Sequence, residues 1–269
     1  MSNDPFADHG IDHLSPSSIN AYISDPCIWI MRYLYGFRNG GGPAMWRGTC
    51  VDHAVGHMYG LGRIDEPLTK EKALTEAEAE YQRLLNFCKS EYPDQVVDDS
   101  KFKAEGKLIR AFTESAIDFY SRLGEPTTYQ KKIELNLEAI PVPIEGYVDL
   151  QYGDIIRDIK TTRRLPSSVS DAHARQVSVY AKASGCDHAM LDYVFASSSK
   201  TEVVSMPVLN IDDHIKVVED IALAIMNLLS ISNDKSVIAK CFYPDTSSPQ
   251  KKWMWGEDEM RFAKTIWRL

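Results

Sequence analysis

Residues 143–164 read PIEGYVDLQYGDIIRDIKTTRR and carry Asp149, Asp158 and Lys160 in close succession. Two carboxylates beside a lysine suit a hard divalent cation, because Mg²⁺ takes oxygen ligands and is usually held by one or two carboxylates together with substrate phosphates. Such a cation can lower the pKa of a bound water and neutralise charge on a phosphoryl oxygen. Lys160 could orient the nucleophile or offset developing negative charge. These are the parts of a phosphodiesterase. Asp-x-Lys alone is a common triplet, so its surroundings carry the weight. His173, Gln176 and Tyr180 fall at i, i+3 and i+7 and share one helix face, where an amide and a phenol could meet a phosphate or the lysine. His53, in WRGTCVDHAVG, is a single imidazole on an earlier helix. His57 follows one turn later and could clasp zinc with it, but no HExxH glutamate accompanies the pair. Each also has an ordinary structural use, as a half-buried helix face or a core histidine.

The elements that must position these groups are legible nearby. Tyr147-Val148-Asp149-Leu150 alternates, Tyr152-Gly153-Asp154 reads as a turn, and Ile155 to Ile159 resumes a β-branched run, which predicts a hairpin. With side chains alternating between faces, Tyr147 and Asp149 lie together, as do Ile156, Asp158 and Lys160. A register setting Asp149 across from the Asp158 side would gather both carboxylates and the ammonium at one place. Upstream, Ser15 and Pro16 open a helix that Pro26 divides. A Gly-rich joint at 39–43 leads to the helix carrying His53, and 69–91 and about 100–123 are charged helices that read as an all-helical insertion. From Thr127 the texture turns to strands: one strand, the hairpin, a helix starting near Ser168 or Ser170, a second hairpin, an amphipathic helix over 211–231, and a tail of loop then helix. This order predicts an α/β protein with a central mixed sheet flanked by helices. A single domain over 1–269, with the helical insertion at about 61–125, is the natural division.

Composition bounds the reading. A hydrophobic content of 44% and a charged content of 25% are those of an ordinary soluble protein. A net charge of -8 argues against a nonspecific coat on nucleic acid but leaves room for a local basic groove. The cysteines at 27, 50, 88, 186 and 241 show no CxxC spacing, so neither a disulfide framework nor a zinc knuckle is expected and a reducing compartment fits. The N-terminus lacks the build of a signal peptide, and the longest apolar stretch, IALAIMNLLSI, is too short to span a bilayer. A cytoplasmic protein without membrane contact is expected.

Taken in order, LSPSSINAYISDPCIWIMRYLYGF, WRGTCVDHA, IEGYVDL, IIRDIKTT and QVSVY resemble the PD-(D/E)XK nuclease superfamily, in particular its RecB-like exonuclease branch. The resemblance covers roughly residues 14–60 and 130–255 and implies a restriction-endonuclease-like core. It implies His53, Asp149 and Asp158 as metal ligands, with the backbone carbonyl of Ile159, and Lys160 as the catalytic lysine. Gln176 and Tyr180 match the family's Q-x-x-x-Y motif. The implied cofactor is Mg²⁺ or Mn²⁺. Relatives carrying an iron-sulfur cluster have one cysteine before the histidine motif and three near the C-terminus. Here only Cys27 and Cys241 stand in those regions, so no cluster is expected. The aromatic tail is expected to fasten the N-terminal helices by packing instead.

The expected activity is a metal-dependent DNA exonuclease of recombination, repair or phage DNA metabolism. Arg163 and Arg164, with Lys131, Lys132, Arg175 and Lys182 around the motifs and Lys101, Lys103, Lys107 and Arg110 in the insertion, would contact a strand through its phosphates. A structure-specific endonuclease on the same core, or a non-catalytic DNA-binding recombination partner, are the alternatives. The intact Asp149, Asp158 and Lys160 set speaks against the last. A recombinase or single-strand annealing protein is the expected partner, in a host cytoplasm if a phage encodes the chain, and a homo-oligomer is compatible with the insertion.

Overall fold

A computed structural model describes residues 4–61, 66–196, 200–248, 251 and 254–269. The start of the expected insertion at 62–65, the 197–199 turn of the second hairpin, and Lys252 and Trp253 of the tail lie outside the described residues. The helices are α1 (Pro5–Asp8), α2 (Pro16–Ser24), α3 (Pro26–Trp29) continued by one π-helical turn (Ile30–Leu34), α4 (Pro43–Met58), α5 (Lys70–Glu91) and α6 (Asp99–Leu123). Strands β1 (Thr128–Leu135), β2 (Ile144–Tyr152) and β3 (Ile155–Thr162) follow, then α7 (Asp171–Ser184), β4 (His188–Ala196), β5 (Thr201–Pro207), α8 (Ile211–Leu229), α9 (Lys235–Ala239) and α10 (Glu257–Ile266). Two compact units arise: 1–39 with 134–146 and 210–269, and 40–133 with 147–209.

In the first unit, the hydroxyls of Ser15 and Ser18 each accept the other's peptide N–H, a capping box that fixes the start of α2 before Pro16 at its first position. Asp25 caps α3 in the same way through Cys27 N–H, 2.9 Å. Helices α1 and α2 pack on α8. From the tail, Phe262 stands 4.9 Å from Phe37 between ring centroids, and Lys251 pairs with Asp25 at 3.2 Å. The described part of the tail therefore holds the N-terminal elements by both packing and charge.

In the second unit lies most of a five-stranded sheet ordered β1-β2-β3-β4-β5. Strand β2 runs antiparallel to β3, β3 parallel to β4, and β4 antiparallel to β5. The parallel pair requires a crossover, and α7 supplies it. Ser170 caps α7, and Gly185 ends it in a left-handed conformation. The mixed α/β architecture is the expected one. Val51 and Val55 of α4 and Phe112, Ala116 and Tyr120 of α6 form one apolar cluster with Leu150, Ile159 and Val194 of the sheet. Helix α6, read from sequence as part of an insertion, is thus a wall of this core. Helix α5 packs on both partners through Ala77, Tyr81, Leu85 and Cys88, against Trp46, Cys50 and Ala54 of α4 and Ile109 of α6. The other face of β3 and β4 receives α7.

Candidate active site

The β2–β3 pairing runs from Tyr152↔Ile155 to Leu150↔Arg157. One step further, the peptide N–H of Ile159 donates to Asp149 Oδ2 at 2.9 Å. A side chain thus takes a donor that a continuing ladder would claim, and the hairpin presents a carboxylate where its strands part. Asp158 is 1% exposed and pairs with Lys160 Nζ at 2.7 Å. Alternation along β3 puts Asp158 and Lys160 on the face that meets α7, while Arg157 and Ile159 turn to α4 and α6.

From α7, Gln176 and Tyr180 face the lysine. Lys160 Nζ donates to Gln176 Oε1 at 3.2 Å, and Gln176 Nε2 donates to Tyr180 Oη at 2.8 Å. The i, i+4 spacing stacks both on one face, so the chain Asp158, Lys160, Gln176, Tyr180 is continuous. His173 Nδ1 hydrogen-bonds Tyr193 Oη at 2.9 Å, one strand over.

On α4 the adjacent Asp52 and His53 diverge, as successive residues on a helix do. His53 Nδ1 lies 3.6 Å from Glu80 Oε1 of α5, and its ring centroid lies 6.1 Å from that of His57. Asp52 Oδ2 accepts from Gln130 Nε2 at 2.9 Å and from Tyr129 Oη at 3.2 Å. Gln130 Nε2 also donates to Asp149 Oδ1 at 3.1 Å. Gln130 has φ +46, a left-handed backbone unusual for a side-chain-bearing residue and found where a site fixes it. Sequence reasoning passed over Asp52 and Gln130. A signal existed for Asp52: Gly48 and Gly56 lie four residues to either side, on its helix face. A Cβ at Gly48 would lie 3.3 Å from Thr161 Oγ1, and one at Gly56 would strike the Tyr129 ring at 2.4 Å. That glycine stripe marks the face pressed against strands, whereas Cys50 and Ala54 mark the face turned to α5.

The electrostatics are those of charges crowded together. Burial, and then Asp158 and Asp52, hold the Asp149 carboxyl well above the usual carboxylate range. Burial likewise pushes Asp52 up to about 7, with Asp158 adding to the rise and hydrogen bonds from Tyr129 and Gln130 opposing it. Burial works against the Lys160 ammonium, but Asp158 and Asp149 outweigh it and keep the lysine protonated. One ammonium among three carboxylates leaves a deficit of positive charge.

The family model of the PD-(D/E)XK nuclease superfamily matches residues 13–232. The chain belongs to that superfamily. Among solved structures, a candidate exonuclease from Eubacterium rectale is 12% identical, with 86% of each chain covered and a TM-score of 0.52, a likeness of fold. The structure of SSO0001 is 15% identical, over 67% of this chain and 86% of that one, at a TM-score of 0.33, too low to carry an argument. No curated protein matches. Superfamily membership makes the PD-(D/E)XK chain a nucleic-acid hydrolase, of a kind that generally uses divalent metals such as Mg²⁺.

The donor set of this PD-(D/E)XK site fits such a cation. Asp52 Oδ1 is buried without a hydrogen-bond partner, and an unpaired buried acceptor is costly unless something else satisfies it; Asp158 Oδ2 is answered by the Lys160 ammonium at 2.7 Å. Among the described residues no three carboxylate, imidazole or thiolate groups already converge as a metal-ligand cluster. Between Asp52 and Asp149 lies the Gln130 amide, and on Asp158 lies the Lys160 ammonium. Of the expected strand contacts, Arg163 donates through Nε to Glu105 Oε1 of α6 at 2.7 Å, and Arg47 pairs with the other oxygen of Glu105. Burial, and then Arg163, bring the Arg47 pKa down to about 10. Arg164 is exposed beside it. No described helix is long and apolar enough to cross a membrane.

Proposed function

We propose that the protein is a divalent-cation-dependent deoxyribonuclease that digests DNA from an end, with Mg²⁺ or Mn²⁺ as cofactor and no iron-sulfur cluster. The observation that carries this reading is the chain of contacts from Asp149 and Asp158 through Lys160 to Gln176 and Tyr180. A cation held by Asp149, Asp158 and the Ile159 carbonyl, with a further donor from the Asp52–His53 pair, would supply Lewis-acid stabilisation of phosphoryl charge and a more acidic water. Lys160, kept protonated by Asp158 and aimed by Gln176, meets the scissile phosphate or orients the attacking water. Tyr180 fixes the Gln176 amide so that its oxygen, and not its nitrogen, faces the ammonium. Arg163 and Arg164 neutralise phosphates of the bound strand, which gives salt-dependent, sequence-tolerant binding. Recombination, repair or phage DNA metabolism is the setting this activity suits, with a recombinase or annealing protein as partner.

The test is digestion of end-labelled linear and covalently closed circular DNA with Mg²⁺, Mn²⁺ or EDTA, using wild type beside Lys160→Ala. Metal-dependent loss of the linear DNA alone, abolished by the substitution, is the expected result. Cutting of the closed circle would replace the end-dependent reading with an endonuclease, and binding without cleavage would move the protein to the non-catalytic class.

A further inference from the structure

The superfamily resemblance casts His53 as the ligand contributed by α4, but the two neighbouring side chains go to different places. His53 is directed toward α5, where its Nδ1 lies 3.6 Å from Glu80 Oε1, and Glu80 in turn accepts from Arg83 Nε at 2.7 Å. Asp52 is directed toward the hairpin. Its Oδ2 and Asp149 Oδ1 share one donor, the Gln130 Nε2, at 2.9 and 3.1 Å. Its second oxygen, Oδ1, is buried without a hydrogen-bond partner.

We propose that Asp52, and not His53, is the α4 donor to the cation, so that the site is built from oxygens alone. The proposal rests on the metal-dependent reading given above and names one ligand within it. Three features support it. The Gly48 and Gly56 stripe lets α4 lie against Thr161 and Tyr129, which places the Asp52 carboxylate at the strands instead of at a helix surface. Tyr129 and Gln130 orient that carboxylate, in the manner of the hydrogen-bonding partners that metal ligands ordinarily have. Gln130 is set between the two aspartates by a left-handed backbone, and its amide can rotate to offer Oε1, a neutral oxygen donor, in place of Nε2. A set of carboxylate and amide oxygens favours Mg²⁺ and Mn²⁺, whereas an imidazole would widen the site toward Zn²⁺ and Ni²⁺.

The experiment uses the full chain and Mn²⁺ alone as probe. Affinity is read by calorimetry for wild type, Asp52→Asn, His53→Gln and Asp149→Asn, and the bound Mn²⁺ of the wild type is examined by pulsed electron paramagnetic resonance for imidazole nitrogen coupling. The expected result is a loss of about tenfold or more in affinity for Asp52→Asn and Asp149→Asn, an unchanged affinity for His53→Gln, and no nitrogen coupling. Nitrogen coupling that disappears in His53→Gln, with Asp149→Asn still weakened, would overturn the inference and leave the metal-dependent reading standing. Affinity unchanged in both aspartate variants would overturn the two together. The wild-type spectrum decides the ligand even if Asp52→Asn does not fold.

Discussion

Two buried aspartates stand on neighbouring strands of one sheet, and their surroundings differ in every respect that matters to chemistry. Asp192 on β4 is fully buried beneath α6. It accepts from Arg157 Nη1 at 2.9 and 3.0 Å, from Tyr120 Oη at 2.6 Å and from the Ser205 hydroxyl. Its charge is answered by a guanidinium and both of its oxygens are served. Asp158 on β3 is as deeply buried, but the lysine that answers it at 2.7 Å also serves Asp149 and Asp52, and Asp52 keeps an oxygen without a hydrogen bond. A satisfied buried charge is a structural device, whereas a buried cluster short of positive charge is a candidate site for a cation. The alternation of β3 separates them, sending Arg157 to one face and Asp158 with Lys160 to the other.

The sharpest way to break this contrast is to neutralise a member of each group. Asp149→Asn should lower the rate of DNA cleavage by about 10⁴-fold, as removal of a group acting within a catalytic unit does. Its thermal midpoint in chelator should hold or rise, because a carboxylate raised by burial and like charges works against the fold. A fall in the midpoint would place Asp149 with the structural group. Asp192→Ala should do the reverse. Leaving Arg157 and Tyr120 unanswered should cost about 3–5 kcal/mol in urea unfolding, with cleavage per folded molecule little changed.

A pH series sharpens the same comparison. The Asp52 carboxyl is raised from 3.8 to about 7 in the folded protein, so over that range the folded state holds a proton that the unfolded chain has released. The stability from that group is full at low pH and is lost as pH rises through about 7. In EDTA, wild type should therefore lose stability relative to Asp52→Asn as pH is raised across this window. A constant difference in urea midpoint would show that the group is ionised throughout. The smallest effect is expected for Tyr120→Phe, about 1 kcal/mol, because Arg157 and Ser205 still serve Asp192. Cleavage activity should be preserved.

Much of this protein was legible before its structure. The caps at Ser15 and Ser170, the turn at 152–154 and the two hairpins follow from local signals, since hydrogen bonds and backbone preferences within a few residues decide them. The alternation in β3 put Asp158 and Lys160 on one face, and the helical spacing of Gln176 and Tyr180 put both on another. The order of these motifs was sufficient for the superfamily. What local signals did not show was the inner face of 100–123, read from its charged exposed face as part of a helical insertion: Phe112, Ala116 and Tyr120 wall the core.

The rest belongs to tertiary structure. Which of Asp52 and His53 meets the hairpin depends on the rotation of α4, set by glycines that let Thr161 and Tyr129 approach one side and by Cys50 and Ala54 packed on α5 at the other. Gln130 reaches between two aspartates only because its backbone turns left-handed within β1. The internal partners of basic residues were equally hidden: Arg163, proposed above as a phosphate contact, also flanks Glu105 together with Arg47 across a long separation in sequence. The sequence alone determined residue types, periodicity and therefore faces, because these are local. The fold decided which faces meet and which charges are answered, because burial and Coulomb energies depend on neighbours that only packing supplies.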